Sequence, residues 1–404
     1  MTQIRELLYT WNDKPADALR GVLIEDDSLR DGLQGAYTRR PGPEEKTEIL
    51  RSLCRVGVQR ALIGFPAISE REFEECLTLC RSIRDERMPI KPKFLSRALK
   101  EDIEPIIRLR DDTGLDVWVD FWIAASPLRT HVEGWELASL VERVRTAAEF
   151  LRSHKISWAF SLEDSSRTPP AILDEVYSTV IDNGAHEIVV CDTCGDSTPA
   201  GTTAIIQHTR ALAARKGFKG LVSWHGHNDR GLGVANSIAA GEAGVDVLSG
   251  SFLGIGERTG CTSLEQIIML LALNGNALYK TKELFRLCEQ LSKAVGVPIP
   301  DAAPLVGRQA FATHSGTHVS AILKGRKLGR EFEDLVYSSV AAADVGREQV
   351  LLLGPTSGIA SARYVLESLS LEFDDDFARK LLAHAKSGNA WLSADEIRTF
   401  QNEQ

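Results

Sequence analysis

Eight short apolar runs, each followed by a segment of helical period, fill the first 275 residues of the chain. The runs lie at 21–26, 60–65, 90–96, 116–124, 156–163, 187–193, 221–227 and 246–254. Between them stand amphipathic segments such as EEKTEILRSLCRVG, WELASLVERVRTAAEFLRSH and AILDEVYSTVIDNG. Strands that alternate with helices are joined by crossovers and pair in parallel. Eight such units predict a closed (β/α)8 TIM barrel over 21–275, and an open doubly wound sheet is the alternative. No G-x-G-x-x-G follows the first strand, which argues against a dinucleotide-binding fold.

The alternation stops after Gly275. Residues 276–404 read as a small, mostly helical C-terminal appendage, long enough to form its own subdomains. Residues 1–20 read as an N-terminal extension that mixes charges and lacks the apolar core of a signal peptide. Hydrophobic residues make up 43% and charged residues 25% of the chain, as in ordinary soluble proteins. The net charge of −9 disfavours a nucleic-acid partner. No apolar run is long enough for a membrane span, so a cytoplasmic location is expected. The seven cysteines are odd in number and scattered, unlike a disulfide framework. Cys191 and Cys194 form a single C-x-x-C that begins inside a strand, and ordinary semi-buried thiols are expected.

In a parallel barrel the reactive groups gather where the strands end. Strand 1 runs into Arg30, Asp31 and Gln34, and Arg97 follows strand 3. Strand 5 offers Glu163, Asp164 and Arg167; strand 6 offers Asp192 and Thr193. Strand 7 ends in His225, His227, Asn228 and Asp229, and strand 8 leads to Glu257, Arg258 and Cys261. His225 and His227 are two apart on one strand and share a face. With Asp31 at the same mouth they make a workable site for a divalent ion, Mg²⁺, Mn²⁺ or Zn²⁺. The alternative is a strand-end pair satisfied by hydrogen bonds. Glu163 likewise has a structural alternative, an ion-pair group with Asp164 and Arg167, and Glu257 with Arg258 has another.

The stretches DDSLRDGLQ, IGFPA, FSLEDSSR, CDTCGDSTP, WHGHNDRGLGVANSIAAGEAG and LGIGERTGCTSLEQIIMLL stand in that order. Together they resemble the aldolase-type metal enzymes that include isopropylmalate, homocitrate and citramalate synthases and 3-hydroxy-3-methylglutaryl-CoA lyase. The resemblance covers about residues 20 to 365. It implies a divalent metal held by Asp31, His225 and His227, with Cys261 as a further candidate, and Arg30 over the reacting oxygens. After the barrel, AFATHSGTHVSAILKG and LVYSSVAAADVGREQVLLLGPTSG resemble the segment that follows the barrel in the synthases. That segment implies His318 and Tyr337 in the active site of a partner protomer, hence a homodimer with exchanged C-terminal segments. No regulatory domain of the longer isopropylmalate synthases is expected in the residues left.

The resemblance therefore implies a Claisen condensation of acetyl-CoA with a 2-oxo acid. Arg30, Glu163, His318 and Tyr337 are the catalytic candidates; Gln34, Arg97 and Thr193 are the substrate-binding candidates. Asn228 and Asp229 are expected to steady the histidines from behind. The alternative on the same scaffold is a carbon–carbon lyase, and from another class a non-catalytic barrel that binds a metabolite. Three positions depart from the synthase pattern. Leu33 replaces the usual acid of R-D-G-E-Q, Leu62 stands where an acid often precedes G-F-P, and Cys261 replaces an asparagine. Two acids turned to leucine imply a bulkier or less polar 2-oxo acid than 2-oxoglutarate.

Overall fold

All eight strands form, and all are parallel. They are β1 (Leu23–Asp26), β2 (Arg60–Leu62), β3 (Lys91–Arg97), β4 (Trp118–Ala124), β5 (Ser157–Glu163), β6 (Glu187–Asp192), β7 (Leu221–Gly226) and β8 (Val247–Gly250). Each pairs with its neighbour in sequence, and β1 also pairs with β8, with Glu25 opposite both Arg60 and Ser249, so the sheet closes. The architecture is a (β/α)8 barrel in this computed structural model, which describes residues 2–9, 11–12 and 17–403.

Two strands end three or more residues before their apolar runs do. β2 ends at Leu62, and two further backbone bonds, from the Ile63 amide to the Lys93 carbonyl at 3.0 Å and from the Leu95 amide to the Gly64 carbonyl at 2.9 Å, hold the chain to β3 before it turns at Pro66. β8 stops at Gly250 because Ser251 turns to bond the Thr262 carbonyl at 3.0 Å. The helices start and stop where local chemistry directs. Pro43–Val56 carries proline in its first turn, where no amide is needed, and ends at Gly57 with φ 100°. Glu70–Asp85 is capped by Ser69, whose side chain accepts from the Glu72 amide. Their apolar faces seal the outside of the sheet, with Leu50, Leu53, Leu79 and Cys80 fully buried.

The inside of the barrel is not the usual stack of branched aliphatic residues. Lys93 is fully buried on β3, with Nζ 2.7 Å from Glu25, 3.3 Å from Glu187 and 3.3 Å from Asp120. Arg60 adds contacts of 3.1 Å to Glu25 and 2.5 Å to Glu187. Ser223 donates to Glu187 at 2.5 Å and Ser161 to Asp120 at 2.8 Å. Burial alone would drive the Lys93 ammonium to lose its proton, but Glu187, Glu25 and Asp120 hold its pKa above the ordinary value.

The chain divides into two compact units, Lys14–Pro298 and Met1–Asp13 with Ile299–Gln404. The barrel unit extends past Gly275 because helix Leu284–Val295 packs on Pro43–Val56, with Gln290 donating to Glu48 at 3.3 Å. The other unit is mostly helical. Its core joins Leu353, Ala362, Leu366, Leu381 and Ile397, and a short parallel pair links Ala312–Thr313 with Val350–Leu351. All seven cysteines are unpaired; Cys54 and Cys194 are half-buried and the other five are buried.

Candidate metal and active site

The end of β7 carries His225, the next turn carries His227, and the turn after β1 brings Asp31 to the same point at the C-terminal mouth of the barrel. The two Nε2 atoms lie 3.3 Å apart, and Asp31 Oδ2 is 3.6 Å from each. Ligands about 2.1 Å from one ion at tetrahedral angles lie about 3.4 Å apart, so this triangle fits a single cation. Cys261 completes a group of four whose donor atoms all fall within 4.8 Å of one another. Its sulfur is 4.0 Å from Nδ1 of His227, the ring nitrogen turned away from His225. Burial and the nearby Asp31 and Asp27 charges push its thiol well up, which favours the neutral form.

The tautomer of His225 is set from behind. Ser249 uses its hydroxyl proton on Asp27 at 2.6 Å, and His225 Nδ1 lies 2.9 Å from the same carboxylate oxygen. Nδ1 therefore donates to Asp27, whose hydrogen bond and charge raise the His225 pKa against burial, and Nε2 presents its lone pair to the cluster once its proton is released. Burial works against a charge on His227, and the neighbouring His225 adds to that effect, so its pKa falls to about 4 and its ring is neutral near pH 7. Asp31 is buried, which opposes ionisation. The Arg30 guanidinium at 3.0 Å and the two imidazoles overcome this and hold the carboxyl well below its usual range. Arg30 also lies 3.7 Å from Asp27, and its buried Nε has no partner.

The loop after β8 passes this cluster closely. Gly256 has φ 154°, and a Cβ there would lie 2.9 Å from Asp31 Oδ1 and 2.8 Å from Cys261 Sγ. Glycine is what lets the Glu257 amide reach Asp31 at 3.2 Å. Arg258 does not pair with Glu257. It grips Asp229 at 2.8 and 3.0 Å and the Thr193 carbonyl at 2.6 Å.

A cavity of about 260 Å³ opens over the cluster, and Arg30, Gln34, Glu163 and Thr193 all line it. Gln34 is exposed and receives a long 3.4 Å contact from Arg30. Thr193 accepts from the Asp164 amide at 2.8 Å. Glu163 lies 3.3 Å from Arg129, and burial raises its pKa against that attraction. Arg167 pairs with Asp164 at 2.7 and 2.9 Å and leaves Glu163 to the cavity. Arg97 is tied in a two-point contact to Asp102 at 2.6 and 2.8 Å and does not line the cavity. Asn228 and Asp229 do not steady the histidines; Asn228 accepts from the Gly233 amide at 3.0 Å and Asp229 holds Arg258. Asp27 and Ser249 do that work. Asp27 follows Glu25 by two residues, which is the inward parity of β1, and that spacing was the available signal. Of the three departures from the synthase pattern, Leu62 lines the cavity and Leu33 does not. His318 and Tyr337 belong to the Ile299–Gln404 unit, where both are exposed and their rings stack with centroids 4.0 Å apart.

A closed parallel barrel whose mouth gathers two imidazoles and a carboxylate has the donor set of a metal-dependent enzyme. Residues 22–292 match the HMGL-like family, and the chain belongs to it. It is 33% identical over 371 residues to a probable 2-isopropylmalate synthase of Ignicoccus hospitalis, covering 90% of this chain and 87% of that one. It is 32% identical over 373 residues to a homocitrate synthase AksA of Methanopyrus kandleri, covering 91% and 87%. The barrel also superposes on hydroxymethylglutaryl-CoA lyase of Pseudomonas aeruginosa with a TM-score of 0.58 at 19% identity, covering 68% of this chain and 93% of that one. At that identity the likeness concerns the fold.

Proposed function

We propose that this chain is an acyltransferase that condenses acetyl-CoA with a 2-oxo acid, giving a malate-type product and free CoA. The observation that carries the reading is the triangle of Asp31, His225 and His227, together with relatives named as synthases over nine-tenths of the chain. These three residues would hold a divalent ion, Mg²⁺, Mn²⁺ or Zn²⁺, with Cys261 beside it as a neutral thiol. Such an ion supplies Lewis acidity toward a chelating 2-oxo acid.

The chain's own residues then divide the work. Arg30 stands where negative charge grows on the ketone oxygen and stabilises it in the transition state. Thr193 and Gln34 receive the carboxylate and neighbouring oxygens of the 2-oxo acid. His318 removes a proton from the acetyl methyl group, general-base work for which an imidazole is suited. Its stacked neighbour Tyr337 holds the ring in place, and Glu163, lifted by burial, relays the proton. The methyl carbon bonds to the ketone carbon, the oxyanion is protonated, and water cleaves the thioester. In this reading the protein is a cytoplasmic homodimer in which one protomer's His318 and Tyr337 serve the partner's barrel. No helix among the described residues is long and apolar enough to cross a membrane.

The test is thiol release with Mn²⁺ and a panel of 2-oxo acids. A synthase releases free CoA only when acetyl-CoA and a 2-oxo acid are both present. Cleavage of a hydroxyacyl-CoA without that dependence would assign the chain to lyase chemistry instead.

A further inference from the structure

The cavity at the mouth continues down into the barrel. Its lining includes the apolar Leu62, Leu95, Trp122 and Val189 and, from the polar network inside the barrel, Glu25, Asp120 and Ser161. Asp120 is buried, accepts from Ser161 at 2.8 Å, and has Lys93 at 3.3 Å beneath it. The charges at this depth are Glu25, Glu187 and Asp120 against Lys93 and Arg60, three carboxylates for two cations. Both cations are therefore fully matched. The arginines that line the cavity stand at the mouth, Arg30 against Asp31 and Arg258 against Asp229.

A carboxylate brought to this depth would meet Asp120 with no cation left to receive it. It would lose its water and face a like charge. An uncharged side chain meets apolar walls instead and gains by leaving water. We infer that the acceptor 2-oxo acid carries an uncharged side chain, and that Asp120 is the residue that turns away a second carboxylate. This rests on the synthase reading for the reaction, but the charge balance concerns the pocket itself.

The experiment compares 2-oxoisovalerate with 2-oxoglutarate on the Mn²⁺-loaded full chain, by thiol release and by titration calorimetry. The native protein is expected to favour 2-oxoisovalerate in kcat/KM by about 100-fold or more, and polar mismatches in a buried pocket reach that size. D120N keeps the side chain's size and removes its charge, and it is expected to narrow the ratio about tenfold, or about 1.4 kcal/mol. Equal or faster turnover of 2-oxoglutarate by the native protein overturns the inference while leaving the synthase reading intact. An unchanged ratio in D120N overturns the role of Asp120. Absence of thiol release with every 2-oxo acid defeats the synthase reading. Calorimetry then decides the inference alone: tighter 2-oxoisovalerate binding supports it, and equal or tighter 2-oxoglutarate binding overturns it.

Discussion

The barrel contains two buried polar clusters, one at its mouth and one at its floor, and they are built on opposite terms. At the floor, Lys93 and Arg60 meet Glu25, Glu187 and Asp120, and Ser223 and Ser161 fill further acceptor positions. At the mouth, two Nε2 atoms and a carboxylate oxygen converge on one point, with Nδ1 of His225 already committed to Asp27. A cluster of matched donors and acceptors is structural. A cluster of converging lone pairs awaits a positive charge. The difference separates a fold-bearing ion network from a ligand site without any reference to relatives.

The strongest way to break the contrast is to remove one converging donor. D31A is expected to reduce Mn²⁺ binding and to lower turnover about 1000-fold or more, since a Lewis acid contributes several kcal/mol. Parallel metal titration and thiol release check it, and retention of both would show that the mouth is another structural cluster. At the floor the expected loss is of stability. K93M leaves three buried carboxylates with one cation, and it is expected to cost about 3–5 kcal/mol in denaturant unfolding.

Glu265 is a buried carboxylate outside both clusters and sharpens the comparison. Burial raises Glu265 from 4.5 to about 7, against its contact from the Leu253 amide at 2.9 Å. A raised folded-state pKa contributes stability that is complete below pH 4.5 and disappears as pH climbs through 7. E265Q is expected to remove that slope, a relative gain of about 3 kcal/mol between pH 5 and 8, read from urea midpoints at each pH. The smallest effect belongs to the residue behind the mouth. D27N keeps the shape but weakens the hold on the His225 tautomer, and it is expected to weaken Mn²⁺ binding about 10–100-fold in metal titration.

The barrel was legible because eight buried strands separated by amphipathic helices admit few arrangements. Strand ends at Leu62 and Gly250 were not, since apolar residues continue past both. In the site, the two-residue step from His225 to His227 gave a common face, and strand order gave Asp31 its place. The supporting Asp27 and Ser249 come from β1 and β8, which meet only on closure. Asn228 and Asp229 looked like supports because they adjoin the histidines in sequence, whereas strand-end side chains answer to neighbouring strands. Arg97 carries a mouth position yet turns to Asp102, five residues on, because the helix that begins at Lys100 presents that carboxylate.

The unpaired cysteines have a bench-side corollary for the colorimetric detection of coenzyme A. Cys54 and Cys194 will react early and set a fixed background, while the five enclosed sulfurs stay silent as long as the chain is folded. A late, substrate-independent rise in colour would therefore time the opening of the protein itself, so one reagent serves as both catalytic readout and unfolding clock.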